Sequence, residues 1–209
     1  MGGRGYSSAT ARRGVTREVA IDNAIKEPLL GGQIAEDLGI SPRKADQYYR
    51  ALSDWANGST GIKNAQRGGE LTEKDALNAR ILNEFIDAAP QFSGYLVRGI
   101  RVPEGTKFRK GDKLKSDGSI TSWTTEESTA RGFLGESGQA VILHVKASKG
   151  ADISKPGYSP LYYLDNEVLQ RGGYDGSLTI SKVVIKSEYR NAFSVRKGKE
   201  KIIHVYLEE

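Results

Sequence analysis

The sequence contains no cysteine. Disulfide bonds, thiolate catalysis and Cys-ligated zinc are therefore excluded. Histidine is nearly as scarce: His144 and His204 fall in separate apolar, strand-like runs, and no HExxH pattern occurs. The expectation is that no metal is bound. No GxSxG stretch supports a Ser–His–Asp hydrolase. No run approaches the roughly 18–20 apolar residues of a bilayer span, so no membrane segment is expected. No apolar stretch follows the N-terminal arginines, so no Sec leader is expected either. A soluble protein is expected, and delivery by a specialised route would leave no mark of this kind.

What is present describes an ordinary globular chain. Of 209 residues, 37% are hydrophobic and 27% charged, enough to bury one good core. The net charge of +5, with a pI near 9.3, is a small excess. It suits a solvated surface or a phosphate-bearing ligand.

Residues 1–14 are rich in Gly, Ser and Arg, lack hydrophobic periodicity and read as a flexible basic tail. Residues 15–90 read as helical. Thr16 caps a helix through Lys26, stopped by Pro28, and a short helix covers Gln33–Leu38 and ends at Gly39. Ser41 followed by Pro42 opens a helix through Trp55, with Tyr48, Ala51, Leu52 and Trp55 on its apolar face. Asn57-Gly58-Ser59-Thr60 breaks it. Thr72 starts a further helix with Ala76, Ala79, Leu82, Phe85 and Ile86 on one side, ending before Pro90.

Residues 91–209 read as β-rich. Strands are expected at Tyr95–Val102, Ser119–Trp123, Ala140–Ala147, Glu167–Leu169, Leu178–Ile185 and Ile202–Leu207. Asp117-Gly118 marks a hairpin turn, and a short helix from Glu126 to Phe133 is expected with Thr125 as its cap. Helices followed by strands predict an α+β fold, with residues 15–209 forming one domain.

Three short stretches carry chemistry. In Tyr95-Leu96-Val97-Arg98-Gly99 an arginine sits mid-strand, facing away from Val97 and Gly99. A guanidinium grips phosphate bidentately, and a glycine lets a flat ligand approach the backbone. In Ser122-Trp123-Thr124 two hydroxyls share one strand face and can position another polar side chain. In Asp165-Asn166-Glu167 two carboxylates two residues apart point the same way and can divide cation stabilisation from proton handling. Taken singly, the first two stretches read more simply as an ordinary edge strand and strand end, and the third has a loop-end charge pair in water as its plain alternative.

Together, and in this order, they resemble the Arg–Ser–Glu class of mono-ADP-ribosyltransferases, which includes bacterial actin-modifying toxins and phage ADP-ribosyltransferases. That class shows an arginine strand of the form LxRG, here LVRG at 96–99. It then shows a Ser-x-Ser/Thr strand, here Ser122-Trp123-Thr124, followed by a helix with Ala130 and Phe133. A Glu-x-Glu pair leads into EVLL, here DNEVLQ at 165–170. The resemblance continues into Ile203–Glu209 and upstream through Leu52–Gly58, Ile62 and Arg67, covering about residues 42–209. Three positions depart from the pattern. Asp165 replaces the first glutamate, Lys63 stands where an asparagine is usual (with Asn64 beside it), and Trp123 replaces the central residue of Ser-Thr-Ser.

The resemblance implies an N-terminal helical region packed on a two-sheet β-sandwich. It implies cleavage of NAD⁺ to nicotinamide and transfer of ADP-ribose to an acceptor, most simply a protein arginine. Glu167 would stabilise the oxocarbenium-like ribose and accept from its 2′-hydroxyl, with Ser122 holding Glu167. Arg98 would grip a phosphate, with Arg67 as a second pyrophosphate contact and Lys63 or Asn64 nearby. Gly99 would meet the carboxamide through its backbone. Thr124 and Phe133 would line the NAD⁺ site. Asp165 would face the acceptor, and exposed Tyr158, Tyr162 and Tyr163 would contact it. The glycine-rich start resembles phage-encoded members.

Two rival readings remain. The same fold could support NAD⁺ glycohydrolysis without transfer. Alternatively, Gln33–Leu52 has Ala35, Gly39 and Ala45 at helix-turn-helix spacing, which would make the partner nucleic acid. Asp46 offsets Arg43, Lys44 and Arg50 on that second helix.

Overall fold

The structure is a computed structural model. It describes residues 29–57, 61–62, 70, 72–114, 119–158, 166–170, 178–190 and 198–208. The basic tail, the Thr16–Lys26 helix, the break at 58–60 and the Asp117-Gly118 turn lie outside these residues.

Helix α1 (Gly32–Leu38) follows Gly31, whose φ of 80° places it in the left-handed region. A Cβ on Gly31 would lie 2.7 Å from the Ala45 carbonyl oxygen, so glycine here lets α1 sit against the next helix. Gly39, with φ 60°, closes α1 by donating its N–H to the Ala35 carbonyl. Helix α2 (Pro42–Ala56) starts as expected, with Ser41 accepting from the Lys44 N–H and Pro42 at the first position. It buries Ala45, Tyr48, Ala51, Leu52 and Trp55. Helix α3 (Glu73–Ala88) is capped by Thr72, and Glu73 and Asp75 favour its positive end. Leu82, Phe85 and Ile86 are buried, but Ala76 is exposed, so the apolar stripe begins later than the sequence pattern suggested. Among the described residues no helix is long and apolar enough to cross a membrane.

The strands are β1 (Gly94–Val102), β2 (Thr121–Thr124), β3 (Gln139–Ala147), β4 (Ala151–Asp152), β5 (Glu167–Gln170), β6 (Thr179–Glu188) and β7 (Glu200–Glu208), with α4 (Glu127–Gly132) between β2 and β3. The expected strands all appear within a few residues, and β4 is an addition. The mixed α+β class holds. The two-sheet detail does not take the expected form, because the strands make one hydrogen-bonded run of seven in the order β4-β5-β2-β1-β3-β7-β6.

A crease divides that run. β1 and β2 share a single pair, Val97 with Thr124, whereas β1 pairs with β3 over all nine residues. Trp123 and Val168, from the β4–β5–β2 half, pack in one core with Leu96, Val141, Leu143, Val145, Val205 and Leu207 from the other half. The ladder therefore folds back on itself. The opposite side of the short half faces the helices: Leu169, Ala151 and Ile153 join Tyr48, Leu52, Trp55 and Phe85 in a second core. Burial on both faces explains why Glu167–Gln170 is buried at every residue.

α4 covers the other side of the long half, where Val97, Ala130, Leu134, Ala140, Ile142 and Ile202 cluster. Its start differs from expectation. Thr125 is not the cap; Glu126 is, and it makes no side-chain cap bond. The hydroxyl of Thr124 accepts the Glu126 N–H at 3.0 Å instead, as a turn just ahead of the helix.

Candidate active site

Register brings the three chemical stretches together. Val97 on β1 pairs with Thr124 on β2, and Thr124 pairs with Glu167 on β5. Two strand spacings, about 10 Å, thus separate the arginine strand from the glutamate. Pairing and alternation put Ser122, Thr124, Glu167 and Leu169 on the helix-facing side.

Glu167 is 7% exposed. A carboxylate so placed needs donors, and two converge on its Oε1: the Ser122 hydroxyl and, at 3.2 Å, the Trp55 indole N–H. Ser122 thus holds Glu167 in the way its position in the strand suggests. The Trp55 contact was not legible, because the spacing in α2 marks Trp55 only as a core residue. Its polar edge finds the carboxylate 112 residues away.

Just ahead of Glu167, Asn166 has φ 46°, the one non-glycine among the described residues with positive φ. Asparagine tolerates this left-handed conformation better than most residues. The strand begins only at Glu167. Asp165 lies outside the described residues, as do Lys63, Asn64, Arg67, Tyr162 and Tyr163.

Arg98 leaves β1 on the side of Leu96, where the two halves of the sheet meet, and is partly buried. A ligand touching both Arg98 and Glu167 has to cross the crease where β1 and β2 part. Because those strands share one pair, backbone groups beyond it are not used in a ladder between them. Gly99 points the other way and has a different reason to be glycine. A Cβ there would fall 1.9 Å from the Ala130 carbonyl oxygen, so the close approach it permits is that of α4. Thr124 is buried, with its hydroxyl engaged at the start of α4. Phe133, at the end of α4, is 64% exposed, which removes plain core packing as its explanation.

Tyr158 corrects an expectation. It is buried rather than exposed: its ring meets Phe85 edge-on at 5.9 Å and its hydroxyl donates to Asp37 at 2.8 Å. Burial, then that acceptor, push its phenol well above its usual range. The loop after β4 is thus tied to α1 and does not display this tyrosine.

The histidines also differ from expectation, since they do not stand apart. β3 and β7 pair in parallel, which sets His144 and His204 in contact on the α4 side of the sheet. A continuous chain runs from the Tyr95 hydroxyl to His144 Nδ1 at 2.7 Å, from His144 Nε2 to His204 Nδ1 at 2.9 Å, and from His204 Nε2 to Glu188 at 3.1 Å. Arg131 pairs with both Glu188 and Glu127. With both imidazoles neutral, every bond in the chain is satisfied: tyrosine donates to His144, His144 to His204, and His204 to Glu188. Burial first, then the neighbouring His204, lowers the His144 pKa to about 4. Glu188 is lowered to about 2, with its hydrogen bonds to Arg131 and His204 outweighing burial. Glu127, His144 and His204 also present three atoms within 4.8 Å of one another, the one such group of potential metal ligands among the described residues.

The helix-turn-helix region is built into the core. Ala45, Tyr48 and Leu52 face inward, while Lys44 pairs with Glu84 and Arg50 with Asp46. Two of the three cations on α2 thus already have acidic partners.

No family model matches the chain, and no curated protein matches it by sequence. Solved structures do. Exoenzyme S from Pseudomonas aeruginosa, solved with human 14-3-3 protein beta and carba-NAD, is 20% identical over 92% of this chain and 88% of its own, with a TM-score of 0.53. The Vis toxin, an ADP-ribosyltransferase from Vibrio splendidus, is 19% identical over 90% of each chain, with a TM-score of 0.55. An ADP-ribosyltransferase from Clostridium botulinum, solved in a triclinic crystal form, is 14% identical over 86% of this chain and 92% of its own, also at 0.55. The protein has the ADP-ribosyltransferase fold.

Proposed function

We propose that the protein is an NAD⁺-dependent mono-ADP-ribosyltransferase. The observation that carries the reading is the buried Glu167 carboxylate, hydrogen-bonded to Ser122 and lying two register pairs from the arginine strand, through Thr124. The fold, shared with solved ADP-ribosyltransferases, supports it.

In this reading NAD⁺ binds at the crease. Arg98 grips a phosphate, Arg67 supplies a second contact, and the region of Lys63 and Asn64 lies alongside. Backbone groups of β1 near Gly99 meet the carboxamide, and Phe133 offers the nicotinamide an apolar face. The bond between ribose C1′ and the nicotinamide nitrogen breaks, and its electron pair leaves with nicotinamide. Positive charge develops across C1′ and the ring oxygen. Glu167, accepting from the 2′-hydroxyl, stabilises that charge at close range in a low-dielectric setting. Ser122 fixes the carboxylate so that little reorganisation is needed. The acceptor nitrogen then bonds to C1′ and loses its proton, with Asp165 as the residue that aligns it or takes the proton.

A protein arginine fits as the acceptor. An acidic residue facing the acceptor suits a guanidinium, and the Vis toxin has been solved with agmatine, itself a guanidine. Glycohydrolysis is the alternative on the same site, with water in place of the acceptor.

The test uses labelled NAD⁺ with agmatine or bacterial lysate, following nicotinamide release and label transfer separately. Glu167→Gln is expected to reduce both by about 10²–10³-fold, the usual cost of losing one electrostatic stabiliser. Asp165→Ala is expected to reduce transfer while nicotinamide release survives. Release without transfer in the wild type would establish hydrolysis instead. No release and no NAD⁺ binding would end the enzymatic reading and direct attention to residues 33–52 and nucleic acid.

A further inference from the structure

We infer that Trp55 is a positioning residue for Glu167, a second clamp on the carboxylate supplied by the helical part of the chain. The inference rests on the transferase reading above, since it concerns the same carboxylate.

Three observations support it. The indole N–H reaches the same oxygen, Oε1, that Ser122 holds, so one carboxylate oxygen is fixed from two directions. The donors come from different layers, Ser122 from the neighbouring strand and Trp55 from α2 packed over it. Trp55 is 2% exposed and wedged among the helix core residues, which leaves the indole little freedom to swing. A serine hydroxyl can rotate about its Cβ–O bond and choose another acceptor. An indole N–H is fixed in the ring plane, and indole is a donor only. Trp55 therefore fixes the direction of the carboxylate more strictly than Ser122 does. Hydrogen bonds to a charged acceptor are also the stronger kind.

The geometry has a consequence for substrate handling. The carboxylate is set before NAD⁺ arrives, by a helix that takes no part in the strand ladder. Any displacement of α2 is transmitted to Glu167. Losing this donor should leave NAD⁺ affinity nearly intact and impair the step in which charge develops, a fall in kcat at constant KM. It should also make the carboxylate easier to protonate, moving the acid limb of the pH–rate profile to higher pH.

The experiment uses the full chain and two replacements at position 55. Trp55→Phe removes the N–H and part of the ring. β-(3-benzothienyl)alanine at this position keeps the ring's shape and replaces only N–H by sulfur. Phe85→Leu, in the same core but away from Glu167, is the control for lost packing. Both replacements are expected to lower kcat for nicotinamide release about tenfold or more, with KM for NAD⁺ within about twofold and an alkaline shift of the acid limb. Phe85→Leu should lower the melting temperature without moving the pH profile. In parallel, the ¹⁵N-labelled indole resonance of Trp55 should follow a carboxylate titration in the wild type that disappears in Glu167→Gln. An active wild type whose benzothienyl variant keeps kcat and pH profile overturns the inference. So does an indole resonance indifferent to Glu167→Gln. If the wild type releases no nicotinamide, the transferase reading fails and takes the catalytic role of Trp55 with it, while the indole titration still reports whether the clamp exists.

Discussion

Acidification should destabilise this protein well before its carboxylates protonate, and His144 is the reason. It is 3% exposed, and its neighbours leave no room for a second proton. Tyr95 and His204 occupy its two nitrogens, and the Tyr206 ring stacks on it at 4.5 Å. Arg131 and Lys186 oppose a charge there and Glu127 favours one, but burial leads and His204 follows. The folded-state pKa is about 4, against an ordinary value of 6.5. Because the folded value is depressed, the unfolded chain takes up the proton first. Stability is complete above pH 6.5 and falls as pH drops towards 4. At 1.36 kcal/mol per pH unit the loss is about 2 kcal/mol at pH 5 and about 3 kcal/mol at pH 4. For a chain of this size that corresponds to roughly 6–12 °C in Tm. Urea or thermal unfolding between pH 7.5 and 4 measures it, with His144→Gln as the comparison. The variant starts less stable, since it breaks the polar chain, but its curve should be flatter across that interval. Below pH 4.5 the protonation of Glu188 adds a further loss, because its folded pKa of about 2 is also depressed. A wild-type curve that is flat from pH 6.5 to 4.5, or a His144→Gln curve that falls as steeply, would refute the reasoning.

Other perturbations test separate parts of the structure. Gly99→Ala sets a methyl group 1.9 Å from the Ala130 carbonyl oxygen, so α4 has to move. A loss of about 2 kcal/mol or more in denaturant unfolding is expected, and an unchanged midpoint would show that the helix is not seated there. At Asn166, with φ 46°, Asn166→Gly should be tolerated, whereas Asn166→Val should cost roughly 1–2 kcal/mol and disturb the carboxylate next to it. Equal stability and equal nicotinamide release in the two variants would contradict this.

Much of the fold was readable because local signals agreed with one another. Ser41 with Pro42, Gly39 and Thr72 mark helix ends through hydrogen bonds made within four residues, and the structure uses each one. Strands rich in branched residues, such as Ala140–Ala147, declared themselves by composition. What escaped depends on partners far along the chain. Tyr158 looked exposed because its loop is rich in Gly and Pro, yet Asp37, 121 residues earlier, buries it. Gly99 looked like a ligand approach because its sequence context does not reveal that α4 packs against it. His144 and His204 looked isolated because a parallel pairing across 60 residues leaves no periodic trace. In the site, Ser122 and Glu167 were legible as a pair from motif order. Trp55 was not, since an apolar helix stripe does not reveal what an indole N–H finds.

The parallel pair in the sheet also bears on how the protein is made. β7 lies between β3 and β6, so the long half of the sheet has a gap at its middle until residues 200–208 arrive. Before then β3 presents an unsatisfied edge, and β6 has no neighbouring strand of the sheet to pair with. Such a late, long-range closure is slow relative to local hairpins, and an open strand edge invites other chains. The same closure completes the tyrosine–histidine–glutamate chain, because His204 arrives on β7. A chain that inserts β7 out of register leaves His144 with an empty nitrogen in an apolar setting. The His144–His204 contact thus favours the observed β3–β7 register over a shifted one.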